Sequence, residues 1–306
     1  MALEDNLSIV IATYNHSNLL ESTLKALLSS PVRDCRITVL NNKSTDNTLQ
    51  VCQKYIEKFS NFGVYTQPVN LGGGSENYMH AIEFCETEYI WHLADDDLYD
   101  FSCFDDVKEA IISKKYDVIQ VGAHGDEKWD WGIEGTPKEL CDKGYNYFRA
   151  SSFLPCDIIR YSFYTRYIKE AYAAISLWYP HMASLIAAYK ENANVYLSKH
   201  RVVTAVIGAQ TYGMNVPIRG FVLLSEKLTT KEDKRRCILS HLSGSIGAAF
   251  PRLIYHRRFP KSEESRMIFR ILFNAATFKE KLMIVLTYIP VKILCIVKPY
   301  KDPKRG

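Results

Sequence analysis

The chain of 306 residues has eight cysteines, no two of them spaced as a CxxC pair. Structural zinc sites are commonly built from such pairs, so none is expected. Scattered cysteines read as reduced thiols of a cytosolic protein. The opening MALEDN is acidic and short, with no basic segment leading into an apolar one, so no secretory signal is expected. A bilayer span needs roughly 20 consecutive apolar residues. The most apolar stretch, LMIVLTYIPVKILCIV at 282–297, is shorter and is broken by Pro290 and Lys292. No glycine-rich loop follows the first apolar run, which disfavours nucleotidyltransferases and dinucleotide-dependent oxidoreductases.

What is present is a globular composition, 47% hydrophobic and 24% charged, with a sizeable core. The length suits one large domain or two small ones. The net charge of +4 conceals an asymmetry. Residues 227–306 hold 18 Lys/Arg against 6 Asp/Glu, a net +12, and residues 1–226 carry −8. A basic C-terminal third points to an anionic partner, a membrane surface or a nucleic acid.

Strands and helices alternate through the first 121 residues. Residues 7–12 (LSIVIA) predict a strand, and Asn18 with Glu21 three residues later predicts a helix start. A strand at 35–40 runs into NNKSTDNT, and a helix from near Asp46 carries Val51, Tyr55 and Phe59 inward. A strand at 63–66, the turn NLGGG and a helix through Tyr78, Ile82 and Cys85 come next. Then follow a strand at 89–94, a helix at 102–113 and a strand at 117–121. This alternation implies a mostly parallel, doubly wound sheet, in which ligands bind at the carboxyl ends of the strands. Residues 13–15, 41–46 and 95–97 all fall at such ends. Residues 123–160 read as a long loop region with short strands, 164–177 and 180–189 as helical, and 195–197 and 202–207 as two strands. Beyond Pro217 the pattern is helical, with starts at Thr230 and Thr277. The segment 279–297, flanked by lysines, reads as a helix pair lying in a membrane interface or as a core pair with a basic tail.

The stretch YIWHLADDDLY ends an apolar run in Asp95, Asp96 and Asp97. Carboxylates this close repel, and some protonate unless a cation sits among them. Mg²⁺ and Mn²⁺ take one or two carboxylates plus substrate phosphates. The triplet therefore reads either as a metal–diphosphate site or as a solvated acidic turn capping the next helix.

Four pieces, LSIVIATYN, VLNNKSTDNT, NLGGGSENYMHAI and YIWHLADDDLY, stand in this order. The ordered set resembles family 2 glycosyltransferases, clearly over residues 5–125 and loosely over 126–210. The resemblance implies a GT-A fold, an α/β doubly wound mixed sheet flanked by helices, to which the helical C-terminal extension is appended. It divides residues 1–215 into a nucleotide-sugar-binding half at 1–122 and an acceptor-binding half at 123–215; the region at 216–306 matches no motif and is expected, from its basic and apolar sequence, to associate with a membrane. It also implies an inverting, metal-dependent hexosyl-type transferase that uses Mn²⁺ or Mg²⁺. The processive-synthase signature QxxRW is absent, which points to single sugar additions. The expected acceptor is a polyprenyl-linked glycan of surface polysaccharide, O-antigen or capsule assembly. The expected location is cytoplasmic, peripheral at the inner face of the plasma membrane, with no nucleic-acid partner. A soluble, protein or teichoic-acid acceptor stays open, as does a catalytically inactive sugar- or nucleotide-binding protein.

By the same resemblance, Thr13, Tyr14 and Asn15 contact the nucleotide-sugar, with Asn41, Asn42, Ser44, Gly72, Gly73, Gly74 and Asn77. Asn41 stands where the family usually has a base-reading aspartate, and an amide both donates and accepts. Asp95 faces donor hydroxyls and, with Asp97, the metal; Asp96 faces the donor sugar. Asp46 is expected to cap its helix. The family's base is an aspartate from an acidic pair, but this chain reads WYPHMASL there. His181 is the candidate base, its pKa lowered by a helix N-terminus, with Asp157 and His200 in reserve. His80 and His92 are expected to be structural. Trp129, Trp131 and Trp178 are expected in the core or against a sugar face.

Overall fold

A computed structural model describes residues 2–124, 129–206, 215–242, 244–255 and 262–297. The chain forms two compact units, Met1–Gln210 and Thr211–Gly306. In the first, the expected alternation runs through β1 (Leu7–Thr13), α1 (Ser17–Leu28), β2 (Arg36–Asn41), α2 (Thr48–Tyr55), β3 (Phe62–Thr66) and α3 (Gly74–Ala81). It continues through β4 (Tyr89–Ala94), β5 (Leu98–Tyr99), α4 (Asp105–Ser113) and β6 (Val118–His124). Leu20, Leu24 and Leu27 recur at helical spacing and bury one face of α1 against Ile9, Ile11, Trp91 and Leu93 of the sheet.

The remainder of this unit is more regular than its sequence implies. Residues 129–204 contribute β7 (Ile133–Gly135), α5 (Pro137–Asp142), α6 (Tyr147–Ala150), β8 (Asp157–Arg160), α7 (Tyr161–Arg166), α8 (Ile168–Ala173), α9 (Met182–Glu191) and β9 (Val195–Thr204). The expected loop region therefore holds helices and a central strand. The sheet order is β3-β2-β1-β4-β8-β6-β9-β5, with β7 beside β9. Strands β3, β2, β1 and β4 are mutually parallel, and β8 enters antiparallel between β4 and β6. Only four residues long, β8 is too short to show a period.

Three further expectations are corrected. The two strands foreseen near 195–207 are one, β9. Its polar middle, Ser198–His200, bulges out of the pairing with β6, and Asp106 holds the bulge by accepting hydrogen bonds from Ser198 Oγ (3.0 Å) and Lys199 N (2.8 Å). Helix α1 starts at Ser17, not after Asn18, because its first amide is met by another loop, as described below. Pro180 and His181 precede α9, which begins at Met182.

The second unit comprises α10 (Asn215–Leu224), α11 (Lys231–Leu239), α12 (Ile246–Tyr255), α13 (Glu263–Ala275) and α14 (Phe278–Val297). The helix pair expected from residue 279 onward is a single 20-residue helix with Pro290 inside it. No helix among the described residues is long and apolar enough to cross a membrane. Thr230 and Thr277 cap α11 and α14 as foreseen, accepting from Asp233 N (3.1 Å) and Glu280 N (3.3 Å). Val222, Ile238, Ile246, Ile268, Leu272 and Ile284 form the core of this unit.

Glu280 ties that core together. Its carboxylate accepts from Arg235 Nη1 (2.6 Å) and Nη2 (3.0 Å), Ile246 N (2.9 Å) and Thr277 N (2.7 Å). Burial alone would raise its pKa, but the bonds from Arg235 and Thr277 outweigh it and hold the carboxyl at about 2. A depressed carboxyl stabilises the fold above its unfolded pKa, and the contribution disappears as pH falls through the folded value. Glu280→Ala strands the Arg235 guanidinium and should cost about 3 kcal/mol. Glu280→Gln should flatten the loss of stability on acidification from about pH 4.5 to 2, followed by circular dichroism melts.

Candidate functional site

Strand register brings the polar clusters to one edge. Thr13 lies beside Asn41 and Ala12 beside Ala94. The segments after β1, β2 and β4 therefore leave the sheet at the same level, the carboxyl end where parallel sheets bind ligands.

Two of these segments are zipped together. Asn15, at φ 54°, accepts from Thr45 N at 2.7 Å, and its own N–H donates to Ser44 Oγ at 2.9 Å. Asp46 accepts from Ser17 N at 3.0 Å and from Thr48 N at 3.0 Å. One carboxylate thus meets the opening amides of α1 and α2 together. Asp46 stands one residue before Asn47, the cap position of α2, rather than at the cap itself, and from there meets the first amide of each helix.

The asparagines are engaged with their own loops. Asn41 Oδ1 accepts from Ser44 N (2.9 Å) and Asn42 Oδ1 from Leu71 N (2.9 Å). Asn77 donates to the Leu40 carbonyl and accepts from Gln67, both at 3.0 Å. All three asparagines are buried. They shape the β2 and glycine-rich loops from behind. Gly72 adopts φ 92°, which strains other residues. A Cβ built at Gly72 or Gly74 meets nothing within 4 Å, so neither loop position is packed over. Gly73 is extended and precedes α3. Tyr14 is exposed, and the buried Thr13 hydroxyl has no hydrogen-bond partner among the described residues.

The acidic triplet is braced on three sides. Tyr99 donates to the Ala94 carbonyl (2.9 Å), Thr23 to that of Asp95 (3.3 Å) and Val206 N to Asp97 Oδ1 (3.3 Å). Burial, then the neighbouring Asp95, raises the Asp96 pKa. Burial, then Asp96, pushes Asp97 up to about 7. These oxygens suit a hard cation. Yet among the described residues no group of three or more His, Cys, Asp or Glu converges to hold one. The arrangement fits an ion that takes one or two carboxylates here and the rest of its shell from a ligand.

His16, absent from the expected residues, joins the site. Its Nδ1 lies 3.1 Å from both oxygens of Asp95. The one available signal is its place directly after the polar strand end Thr13–Asn15. The bond to Asp95 raises its pKa against the opposing effect of burial, aided by the charges of Asp95, Asp96 and Asp46.

The acceptor-side candidates separate. His181 is buried, and its Nε2 pairs with the Ser151 carbonyl at 3.1 Å. That nitrogen must carry the proton, leaving Nδ1 as the acceptor. The His181 pKa falls to about 4 through burial rather than through a helix terminus. Asp157 is buried in β8, with Oδ1 accepting from Gln120 (2.6 Å) and its pKa well raised by burial. His200 is half-buried on β9. His92 is buried in β4, and His80 contacts Gln67 at 2.6 Å from α3, both as structural groups. Trp129 packs in the core on Gly122 and donates to the Ser198 carbonyl (3.0 Å). Trp131 meets the Tyr145 ring edge-on at 5.3 Å. Trp178 is 47% exposed at φ 69°, a conformation that costs a bulky side chain energy.

The family model for glycosyl transferase family 2 matches residues 8–170, more than half of the chain, and the chain belongs to that family. It is 34% identical over 93 residues to the poly(ribitol-phosphate) beta-glucosyltransferase of Bacillus spizizenii, covering 30% of this chain and 15% of that protein. It is 27% identical over 120 residues to the poly(ribitol-phosphate) beta-N-acetylglucosaminyltransferase TarS of Staphylococcus aureus, covering 39% of this chain and 21% of TarS. Both alignments thus span less than a third of the relative. The crystal structure of TarS 1–349 with UDP-GlcNAc superposes with TM-score 0.61 at 16% identity, covering 96% of this chain and 88% of that one. The mannosyltransferase PcManGT of Pyrobaculum calidifontis, with GDP-Man and Mn²⁺, superposes with TM-score 0.53 at 9% identity, covering 97% and 88%. The chain has the expected GT-A fold with a helical C-terminal region.

The His16–Asp95 pair is directly testable. By NMR titration His16 should titrate above 6.5, and Asp95→Asn should bring it back toward that value. A native value at or below 6.5 would show that the pair does not form.

Proposed function

We propose that the chain moves one sugar from a nucleoside-diphosphate sugar to an acceptor hydroxyl, with inversion. The observation that carries this reading is the convergence of the β1, β2 and β4 ends on Asp95–Asp97, where Asp97 sits at about 7. Tyr14 and the Thr13 hydroxyl face the nucleotide, and Asn15, Ser44, Asn41, Asn42 and Asn77 hold the surrounding loops. Gly72, Gly73 and Gly74 let the backbone approach the donor. Asp95 and Asp97 would hold Mn²⁺ or Mg²⁺, which when bound stabilises charge on the leaving diphosphate. Asp95 also accepts from donor hydroxyls, and Asp96 faces the donor sugar.

Single displacement requires a base for the acceptor hydroxyl. His181 is neutral at physiological pH and offers Nδ1, and its burial requires its neighbours to yield before an acceptor reaches it. Asp96 is the more accessible alternative. Trp178 offers a ring face to the acceptor sugar.

The acceptor in this reading is a polyprenyl-linked glycan of cell-surface polysaccharide at the inner face of the plasma membrane. The basic C-terminal region is the part that meets that surface. The Bacillus and Staphylococcus relatives support a second acceptor, a poly(ribitol phosphate) chain.

A thermal-shift screen of UDP-, GDP- and dTDP-sugars with Mn²⁺ or Mg²⁺ tests the enzyme reading, which fails if no donor stabilises the protein. A protonated Asp97 must lose its proton to bind a cation. Mn²⁺ affinity should therefore weaken about tenfold per pH unit below pH 7, with about one proton released. Calorimetry in buffers of different ionisation enthalpy measures this, and a pH-independent affinity contradicts it. Asp97→Asn should abolish ion binding and transfer together. His181→Gln should slow transfer about 100-fold or more while leaving donor affinity unchanged. An unaltered rate would move the base to Asp96.

A further inference from the structure

Helix α14 carries an apolar stripe that the second unit does not cover. Leu282, Val285, Leu286, Ile289, Ile293 and Val297 are each between 53% and 78% exposed. At 3.6 residues per turn they share one face, an arc of about 120°. Glu280 and Ile284, on the opposite face, are buried against the rest of the unit. The helix is therefore docked by one side and presents a continuous hydrophobic side outward, a pattern that marks an interaction surface.

The charges around the stripe indicate what covers it. Lys281 and Lys292 line one rim and Lys279 the other. The Lys281 ammonium lies 5.1 Å from the centroid of the Phe273 ring, and that of Lys292 5.4 Å from the Tyr288 ring. Lysines at the border of an apolar stripe suit a boundary between hydrocarbon and anionic headgroups. Lys298, Lys301, Lys304 and Arg305 follow in sequence. Residues 211–306 contain 19 Lys/Arg against 7 Asp/Glu, a net +12. A second copy would bring like charges together along the same rims. Full insertion is opposed by the buried, Arg235-bound Glu280 and by Pro290. A proline in a helix leaves the carbonyl four residues earlier, here that of Leu286, without its amide. Interfacial water can meet that carbonyl, whereas hydrocarbon cannot.

We infer that α14 lies flat in the interface of an anionic bilayer, with Leu282, Val285, Leu286, Ile289 and Ile293 among the acyl chains and Lys279, Lys281 and Lys292 at the phosphates. This rests on the proposal that the C-terminal region meets a membrane, and it assigns the contact to one helix face and one class of lipid.

Flotation of the full chain with phosphatidylcholine vesicles, with and without phosphatidylglycerol, tests it. The native chain should float with the anionic vesicles and separate at high salt. Leu286→Glu with Ile289→Glu should weaken binding about tenfold or more. Lys281→Gln with Lys292→Gln should weaken it and reduce its salt dependence. All four positions lie outside the buried core, and equal melting midpoints would confirm intact folding. Ile293→Trp adds a second readout, a blue-shifted emission on vesicle addition. Nucleotide-sugar hydrolysis in solution should be the same in the native and Leu286→Glu/Ile289→Glu proteins, which separates this face from the donor site. Unchanged flotation of that double variant would overturn the α14 assignment and leave the wider membrane proposal standing. No flotation of the native chain would overturn both. A native dimer that the double variant splits, without vesicle binding, would give the face to a second copy.

Discussion

The site depends on a single carboxylate that contacts no ligand in the proposed mechanism. Asp46 binds the opening amides of α1 and α2, so the β1–α1 and β2–α2 turns cannot shift independently. Asn15, Ser44 and Thr45 complete the same seam. Through it, the exposed Tyr14 ring and the buried Thr13 hydroxyl keep fixed positions relative to Asp95, which His16 reaches from the start of α1. Binding groups are more exact when other bonds already hold their backbone, because little ordering cost is left for the ligand to meet.

The acidic triplet is the counterpart of that rigidity. Three carboxylates packed at the end of a buried strand are unfavourable for the fold alone, as the raised pKa values of Asp96 and Asp97 record. A local feature that works against stability in an otherwise consistent fold is a mark of function. His16 offsets part of the charge at Asp95. The remainder is available to a cation-bearing ligand.

Much of this was legible in the residues. The strand–helix alternation through residue 121 needed only period and punctuation, because each element buries one face of a shared core. The convergence of three polar clusters followed from the topology. What escaped was of two kinds. Strand β8 is four residues long, and the polar centre of β9 is held by a distant aspartate, so neither leaves a local pattern. The other kind concerns partners. Asn41 and Asn42 stand at positions expected to bind a ligand, but Asn41 closes its own loop through Ser44 N and Asn42 braces the glycine-rich loop through Leu71 N. His181 has the low pKa foreseen for it, yet burial rather than a helix terminus is the cause. Asn18 resembles a cap, but Asp46, from another loop, does the capping. Burial and side-chain bonds made in the folded chain decided these, and spacing along the chain carries no record of them.

The placement of β8 has a consequence for how the chain is made. Strands β4 and β6 are separated in the sheet by a strand encoded after both of them. Until residues 157–160 leave the ribosome, β4 ends a four-stranded sheet in an open edge and β6 has no strand to pair with, since its other neighbour, β9, is encoded later still. Pairing across such a separation is slow, and exposed edges recruit other strands. The first half of the chain therefore waits on the second to close its sheet, and its nascent form is the stage at which a chaperone would matter most.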